Sequence, residues 1–262
     1  MKIKGNSRQC FEIESNLSKS KRSQITPIII VAIVLVIGLG VYFVIPGSDN
    51  VEKVDPSVEP IYNFVQGCLE ESSREAIIEV SRQGGYLNPP EDNFNGFPYY
   101  VKNGQRLMPT TDQIGEALSE YVKISTYFCV RGFEDFPSFN VERDDAEVKT
   151  VIRENRVDFS VRYPITITKG DKVFEIEKFE ESVDTRLGEV IDLAEFLVED
   201  QLDHPISLCL SCGYYISNQY EMDYNNLALD QGRFLHSISD GKIKIDNKPL
   251  ELNFIMGLEV EG

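Results

Sequence analysis

The stretch "VDFSVRYPITIT", residues 157–168, decides the fold class because apolar and polar side chains alternate along it. Successive side chains of a β-strand point to opposite faces, so a period of two predicts a strand with one buried face. The turn-forming runs "RENR" and "KGDK" on either side predict an antiparallel meander with strands near residues 148–152 and 173–179. The expected buried face consists of Val157, Phe159, Val161, Tyr163, Ile165 and Ile167.

Helical patterns precede and follow this meander. A first helix of about 25 residues is predicted from its apolar period, with Ser57 as N-cap and Gly84-Gly85 as its end. A second helix begins at Thr110, whose hydroxyl can form a capping box with Gln113. The apolar stripe of a third helix consists of Leu187, Val190, Ile191, Ala194, Leu197 and Val198.

The remaining segments predict loops and further strands. Residues 88–109 contain many turn formers and predict a surface loop with at most one short hairpin, at Asn103-Gly104. Alternation returns after His204 and predicts strands at residues 206–210, 243–245 and 250–256. Blocks of helix and strand without regular alternation indicate an α+β fold with about three helices and antiparallel sheet. Residues 57–262 are expected to form this domain, mainly helical over 57–135 and mainly strand over 145–262.

An uncharged run, residues 25–45, precedes the domain. A helix of that length spans about 30 Å, the hydrocarbon thickness of a bilayer. Pro27 suits the first turn of a helix, and Pro46-Gly47 marks its end. The sequence therefore predicts an uncleaved transmembrane helix over residues 25–45, with a basic tail over 1–24 and a linker over 46–56.

The charge distribution orients this anchor. Residues 1–26 carry six basic and two acidic side chains, a net charge of +4, whereas the rest carries 20 basic and 41 acidic ones, a net charge of −21. Because basic flanks stay in the cytoplasm, we expect a single-pass protein of the cell membrane with a cytoplasmic N-terminus and an extracytoplasmic domain. The negative excess repels phosphate, which argues against nucleic acid as a partner. The expected partners are the lipid bilayer and other proteins of the cell surface.

The residues around the anchor leave two other interpretations open. A cleavable secretory signal has a shorter apolar core and small residues at the cut, and "VIPGSDN" offers no such site, so the uncleaved anchor is favoured. The run "KRSQIT", residues 21–26, resembles the leader of archaeal type IV pilins, and this resemblance implies processing between Ser23 and Gln24. The glutamate that pilins carry at the fifth mature position would fall on Ile28, where the chain departs from that pattern.

Five cysteines bear on the compartment and the fold. Cys10 lies on the predicted cytoplasmic side, and the other four lie where disulfides form. Cys68 and Cys129 stand near the apolar stripes of the first two helices, so helix packing favours a bridge between them. Such a bond closes a loop of about 60 residues and stabilises the fold by roughly 4 kcal/mol in the chain-entropy model. The alternative is that both are small buried hydrophobic residues.

The motif "CLSCG", residues 209–213, allows a redox or metal role as well as a structural one. Redox pairs of this spacing lie at a helix N-terminus, where the helix dipole lowers the pKa of the first thiol. Here alternation predicts a strand with no amphipathic helix after it, so Cys209 and Cys212 would point to opposite faces, unless Gly213 makes a turn. We favour a structural disulfide, then unpaired thiols, then a redox pair. No metal site is expected because a second close pair of ligands is missing.

Few other residues carry recognisable chemistry. His204 and His236 are the only histidines and stand in no hydrolase or metalloprotease motif, so each is expected to be a surface or packed residue. Acidic runs such as "VEDQLD", residues 198–203, lack calcium-loop spacing and are expected to be solvated. No cofactor is expected, and no catalytic residue is assigned.

Scattered short motifs resemble one group of proteins. The run "KRSQIT", "CLE" at residues 68–70, "GGY" at residues 84–86 and Cys129 are similar to uncharacterised single-pass membrane proteins of small-genome archaea. The similarity covers residues 21–200. It implies the single-pass topology and the pairing of Cys68 with Cys129, and it implies no activity.

Together these patterns favour a non-enzymatic, membrane-anchored protein of the cell envelope with a binding or scaffolding role. The alternatives, in order, are a thiol–disulfide redox protein that uses Cys209 and Cys212, a pilin-like subunit, and a surface hydrolase that uses one of the two histidines.

Overall fold

The computed structural model describes residues 54–230 and 232–258. The predicted basic tail, the transmembrane helix over residues 25–45 and the processing site at Ser23 and Gln24 lie outside these residues. Within the described ranges, no helix combines the length and the apolar character needed to cross a bilayer.

The described residues form an α+β fold, as expected, with four α-helices rather than about three and ten strands. The elements in chain order are α1 (Glu59–Arg82), β1 (Asn93–Phe94), β2 (Phe97–Lys102), β3 (Gln105–Arg106), α2 (Thr111–Cys129), β4 (Asn140–Arg143), β5 (Glu147–Ile152), β6 (Arg156–Lys169), β7 (Lys172–Asp184), α3 (Leu187–Asp203), α4 (Leu210–Tyr220), β8 (Asp223–Asp230), β9 (Arg233–Ile245) and β10 (Lys248–Gly257). A 3-10 turn, Arg131–Phe133, follows α2.

The strands form two sheets. The first has the order β1-β2-β10-β9-β8, with β3 added to β2. In the second, β6 is central, β7 pairs along one side, and β4 and β5 occupy successive lengths of the other side. Strands β2 and β10 run parallel, whereas the other pairs are antiparallel. The first sheet is therefore mixed rather than antiparallel throughout.

The strand predicted from the alternation over residues 157–168 is confirmed as β6, and its apolar residues form the buried face. Strands β5 and β7 pair with β6 in antiparallel register, as the flanking turns predict. Helix α1 packs on this sheet, where the rings of Tyr62 and Phe179 stack with 5.2 Å between their centroids. The buried side chains of β6 are Val157, Phe159, Val161, Tyr163, Ile165 and Ile167.

The segment over residues 88–109 is more than a surface loop, which corrects the expectation from its turn formers. Strand β2 lies inside it and pairs with β10, and the ring of Tyr100 stacks on that of Phe254 with 4.2 Å between centroids. The Tyr100 hydroxyl donates a hydrogen bond to the carbonyl of Gly84, 2.9 Å away. The predicted hairpin at Asn103-Gly104 is confirmed as the turn between β2 and β3.

The helix ends follow local side-chain chemistry. Thr110 caps α2 through the predicted capping box with Gln113. Ser57 does not cap α1, because its amide and hydroxyl both donate to Asp55 and the N-cap position falls on Val58. At the end of α1 the chain turns at Gly84, where an added Cβ would lie 2.5 Å from Cγ of Pro98, so glycine permits α1 to end against the first sheet.

A buried ion pair joins α3, α4 and the first sheet. The guanidinium of Arg186, just before α3, donates to Asp240 of β9 at 3.0 Å, to Glu189 and to the carbonyl of Tyr220 at the end of α4. Arg186 and Asp240 are both buried. This connection fixes the end of α4 relative to α3, and so helps to position the start of α4.

Candidate functional site

The strand predicted over residues 206–210 is wrong, because the chain forms a loop there and then helix α4. Cys209 occupies the N-cap position of α4, and Cys212 lies in its first turn. The two sulfurs are bonded, with 5.2 Å between the Cα atoms. The argument that they point to opposite faces therefore fails, since residues three apart on a helix share one face.

Helix α4 escapes an apolar-period search because its buried face consists of small residues. Gly213 and Ser217, four residues apart, are its buried positions. An added Cβ at Gly213 would lie 2.4 Å from the ring of Tyr224, so glycine permits the first turn of α4 to rest on that ring. The feature of the sequence that could have indicated this helix is the pair of small residues, Gly213 and Ser217, at a helical spacing of four.

Hydrogen-bond donors surround the sulfur of Cys209. The amide of Cys212 donates to it at 3.3 Å, and the hydroxyl of Ser211 lies 3.6 Å away. The unpaired amides of a helix N-terminus carry a partial positive charge, which favours a thiolate over a thiol. In the reduced protein, Cys209 is therefore the better placed of the two sulfurs to act as a nucleophile.

A carboxylate completes the site. Asp200, on the last turns of α3, places a carboxylate oxygen within 4.8 Å of both sulfurs. The ring nitrogen Nδ1 of His204 lies 3.7 Å from this carboxylate and 3.0 Å from the Asp200 carbonyl. Buried Gln201 donates to the carbonyls of His204 and Ser207, which holds the loop that brings Cys209 to Asp200. The interpretation of "VEDQLD" as a purely solvated run therefore misses Asp200.

Exposed apolar side chains lie beside the cysteines in the chain. Ile206 is 67% exposed and Tyr215 is 68% exposed, and Leu210 and Tyr214 are also exposed. Leu210 and Tyr214 are four residues apart and share one side of α4. Exposed apolar surface next to this half-buried disulfide is suited to contact with another polypeptide.

The second histidine lies beneath this helix and away from solvent. His236 in β9 is fully buried, and its Nδ1 lies 2.6 Å from the hydroxyl of Tyr224. Burial lowers the pKa of His236 to about 3 and raises the pKa of Tyr224. The ring of His236 also stacks on Phe254. This arrangement supports the expected packed histidine.

The hydrolase alternative finds no support in the histidine contacts. The ring of His204 contacts Asp200, and the ring of His236 contacts Tyr224. In the described part of the chain, no serine or cysteine forms a hydrogen bond with either ring. Over residues 54–230 and 232–258, neither ring is therefore hydrogen-bonded to a serine or cysteine nucleophile.

A separate groove lies between α2 and β5. It measures about 800 Å³ and is lined mainly by polar and charged side chains such as Glu116, Lys123 and Lys149. An apolar pocket of about 150 Å³ adjoins it, lined by Ile124, Tyr127 and Phe128 among others. Neither contains a cysteine or a histidine. We therefore place the candidate chemistry at the cluster of Cys209, Cys212 and Asp200, with His204 beside Asp200.

The other cysteine pair belongs to the core. Cys68 in the middle of α1 is bonded to Cys129 at the end of α2, with 5.8 Å between the Cα atoms. Two cysteine pairs at bonding distance agree with the expectation of disulfides. Cys68 is buried, so this bond ties two helices together.

The fold and the site together define an α+β domain that carries a disulfide at a helix N-terminus. No family model, curated protein or solved structure matches the chain.

Proposed function

We propose that the chain is a membrane-anchored protein of the cell envelope whose extracytoplasmic domain carries out thiol–disulfide exchange through Cys209 and Cys212. The observation that carries this proposal is the position of Cys209 as the N-cap of α4, bonded to Cys212 in the first turn. This geometry removes the main objection that the sequence pattern raised against a redox pair.

The exchange follows from the contacts of the two sulfurs. A substrate thiolate attacks Sγ of Cys209, the bond between the cysteines breaks, and Cys212 leaves as a thiolate that takes up a proton. A second substrate thiolate then attacks the mixed disulfide, releasing an oxidised substrate and the Cys209 thiolate. The amide of Cys212 stabilises this thiolate. Two substrate thiolates are joined in a disulfide, and the cysteine pair takes up the two electrons, with one proton on Cys212 while Cys209 remains a thiolate.

The anchor predicted over residues 25–45 supports this proposal, because its expected orientation puts the domain outside the cytoplasm. Disulfides form and persist in that compartment. The basic flank before the anchor and the acidic excess after it support the same orientation.

Mixed-disulfide trapping tests the exchange. We would incubate the full chain in detergent micelles with oxidised glutathione and measure intact mass, with every variant in a Cys10→Ser background. Cys212→Ser should accumulate one glutathione on Cys209, because the resolving thiol is gone. Cys209→Ser should react much more slowly, because Cys212 lacks the N-cap position. Equal rates for the two variants, or a wild-type pair that excess dithiothreitol leaves oxidised in the folded protein, would contradict the proposal.

A binding or scaffolding role is the second candidate, and the exposed cluster of Ile124, Tyr127 and Phe128 favours it. Phe128 is 68% exposed although it is a large apolar residue, and it lines the pocket beside the α2–β5 groove. Such a cluster is typical of a protein contact surface. A photo-crosslinking residue at position 128 should give a discrete product in intact cells. The same residue at Val173, equally exposed on β7, should not. Identical product patterns at both positions would argue against a specific surface.

A further inference from the structure

We propose that the reduced form of the domain binds one zinc-like divalent cation through Cys209, Cys212, Asp200 and His204. The proposal goes beyond disulfide exchange and does not depend on it, because a pair that exchanges slowly can still bind a metal once it is reduced. The sequence predicts no metal site, because it offers no second close pair of ligands and no local spacing marks Asp200 and His204 as partners of the cysteines.

The spacing of the ligand atoms supports a single site. One carboxylate oxygen of Asp200 and the sulfurs of Cys209 and Cys212 all lie within 4.8 Å of one another. In a tetrahedral zinc site with bonds of about 2.0 to 2.3 Å, neighbouring ligand atoms stand roughly 3.3 to 3.8 Å apart. Reduction breaks the bond between the sulfurs and lets them separate to that distance. The carboxylate then needs to move by an ångström or so, about the reach of one side-chain torsion.

His204 is placed to supply the fourth ligand. It lies four residues after Asp200, at the C-cap of α3, and its Nδ1 is 3.7 Å from the Asp200 carboxylate. The His204 side chain is exposed, so its ring can turn toward the sulfurs without leaving a packed position. Gln201 holds the backbone of this loop through the carbonyls of His204 and Ser207. The loop that carries the histidine is thus fixed, and the His204 ring would give up its hydrogen bond with the Asp200 carbonyl to turn toward the sulfurs.

The chemistry of the four groups selects the cation. Two thiolates and one imidazole are ligands that zinc and similar borderline ions prefer over calcium or magnesium. Two thiolates and a carboxylate carry three negative charges within a few ångströms, and this repulsion is relieved by a dication. Binding releases the protons of the two thiols, so affinity rises with pH.

Metal binding and disulfide formation exclude each other at this site. A sulfur bonded to its partner is a poor ligand, and a thiolate bound to a cation is protected from oxidation. The bound cation should therefore slow re-oxidation of the reduced pair and withdraw it from exchange.

Cobalt(II) titration tests the site directly. The full chain in detergent micelles, in a Cys10→Ser background, would be reduced until two thiols titrate, which leaves the buried Cys68–Cys129 bond intact. The reduced protein should bind one equivalent of cobalt with thiolate-to-cobalt charge-transfer bands and the strong visible bands of a tetrahedral ion. Zinc should displace the cobalt, and the oxidised protein should show neither signal.

Matched variants assign the ligands. Asp200→Asn and His204→Gln should each weaken zinc affinity by at least tenfold in competition with a chromophoric chelator. Asp203→Asn, an exposed member of the same acidic run, should leave the affinity unchanged. Thermal unfolding of the oxidised variants checks that the fold is retained.

The results that overturn the proposal are distinct from those that overturn the exchange function. Absence of a stoichiometric cobalt signal in the reduced protein would overturn the metal site while mixed-disulfide trapping remained intact. An Asp203→Asn loss equal to that of Asp200→Asn, or an unchanged affinity in His204→Gln, would overturn the four-residue ligand set.

Discussion

The two disulfides of this chain differ in the length of the loop that they close and in the burial of their cysteines. The Cys68–Cys129 bond joins residues 61 positions apart and connects buried Cys68 of α1 to half-buried Cys129 of α2. The Cys209–Cys212 bond joins residues three apart at the start of α4, and both cysteines are half-buried. The first closes a long loop of the unfolded chain, and the second closes a very short one. The comparison teaches that loop length and burial, rather than the presence of a bond, separate a bond that stabilises the fold from one that is available for chemistry.

The largest expected effect is the loss of unfolding free energy when each disulfide is removed in turn. The double variant Cys68→Ala/Cys129→Ala should lower the free energy of unfolding by roughly 4 kcal/mol, and Cys209→Ala/Cys212→Ala by roughly half of that, because loop-closure entropy grows with loop length. Urea unfolding of the full chain in detergent micelles, followed by tyrosine fluorescence, measures both. Tyrosine is a suitable probe because the chain has no tryptophan.

That experiment tests which of the two double variants loses more unfolding free energy. A larger loss from the Cys209–Cys212 double variant would show that α4 depends on its bond for folding. That result would move the second disulfide into the structural class and weaken the proposed exchange.

A second test concerns the buried residues on which α4 rests. Burial lowers the pKa of His236 from its ordinary value of 6.5 to about 3. The unfolded chain therefore takes up a proton first as the pH falls. Between pH 6.5 and pH 3 the folded state should lose roughly 1.4 kcal/mol per pH unit from this residue, or about 3 kcal/mol by pH 4.5. The loss should disappear above pH 6.5.

The variant His236→Gln isolates that contribution. Glutamine can accept the hydrogen bond from Tyr224 but does not titrate, so its urea stability should fall less steeply below pH 6.5 than that of the wild type. Subtracting the slope of unfolding free energy against pH of the variant from that of the wild type removes the contributions of the carboxylates, which both proteins share. Parallel slopes would mean that His236 is protonated in the folded protein.

The parts of the fold that the sequence predicts are those with one continuous buried face. The period of two in β6 identifies a strand whose six apolar residues are all buried, and the apolar stripe of α3 identifies a helix that covers residues 187–203. Large apolar side chains in regular spacing create this signal. The capping box at Thr110 is also predictable from the sequence, because its hydrogen bonds join residues only three positions apart.

The parts that the sequence does not predict depend on contacts with distant residues. Strand β2 is only six residues long and is enclosed by turn formers, and its identity comes from pairing with β10 more than 150 positions later. Helix α4 buries Gly213 and Ser217, which leave no apolar stripe to detect. Asp200 becomes part of the site only because the loop after α3 folds back, so no local spacing marks it.

A third test examines that unusual buried face. Gly213→Ala would place a Cβ 2.4 Å from the ring of Tyr224, and the rearrangement should cost about 2 kcal/mol in unfolding free energy. Gly67→Ala is the matched control, because Gly67 is an exposed glycine of α1 with open space around its Cβ position. The control should gain up to about 1 kcal/mol from helix propensity. Equal effects of the two substitutions would show that α4 does not rest on Tyr224.

The smallest expected effect is a shift in the redox equilibrium of the Cys209–Cys212 pair, a property of its chemistry rather than of the stability of the fold. The hydroxyl of Ser211 lies 3.6 Å from this sulfur and can donate to its thiolate, which stabilises the reduced pair. Ser211→Ala should therefore make the pair less oxidising and shift its equilibrium constant with glutathione by about twofold to fivefold, the value of one weak hydrogen bond. The exposed Ser138, placed in another part of the chain, provides the control Ser138→Ala, for which no shift is expected. An unchanged equilibrium in both variants would leave the amide of Cys212 and the dipole of α4 as the groups that set the reactivity of Cys209.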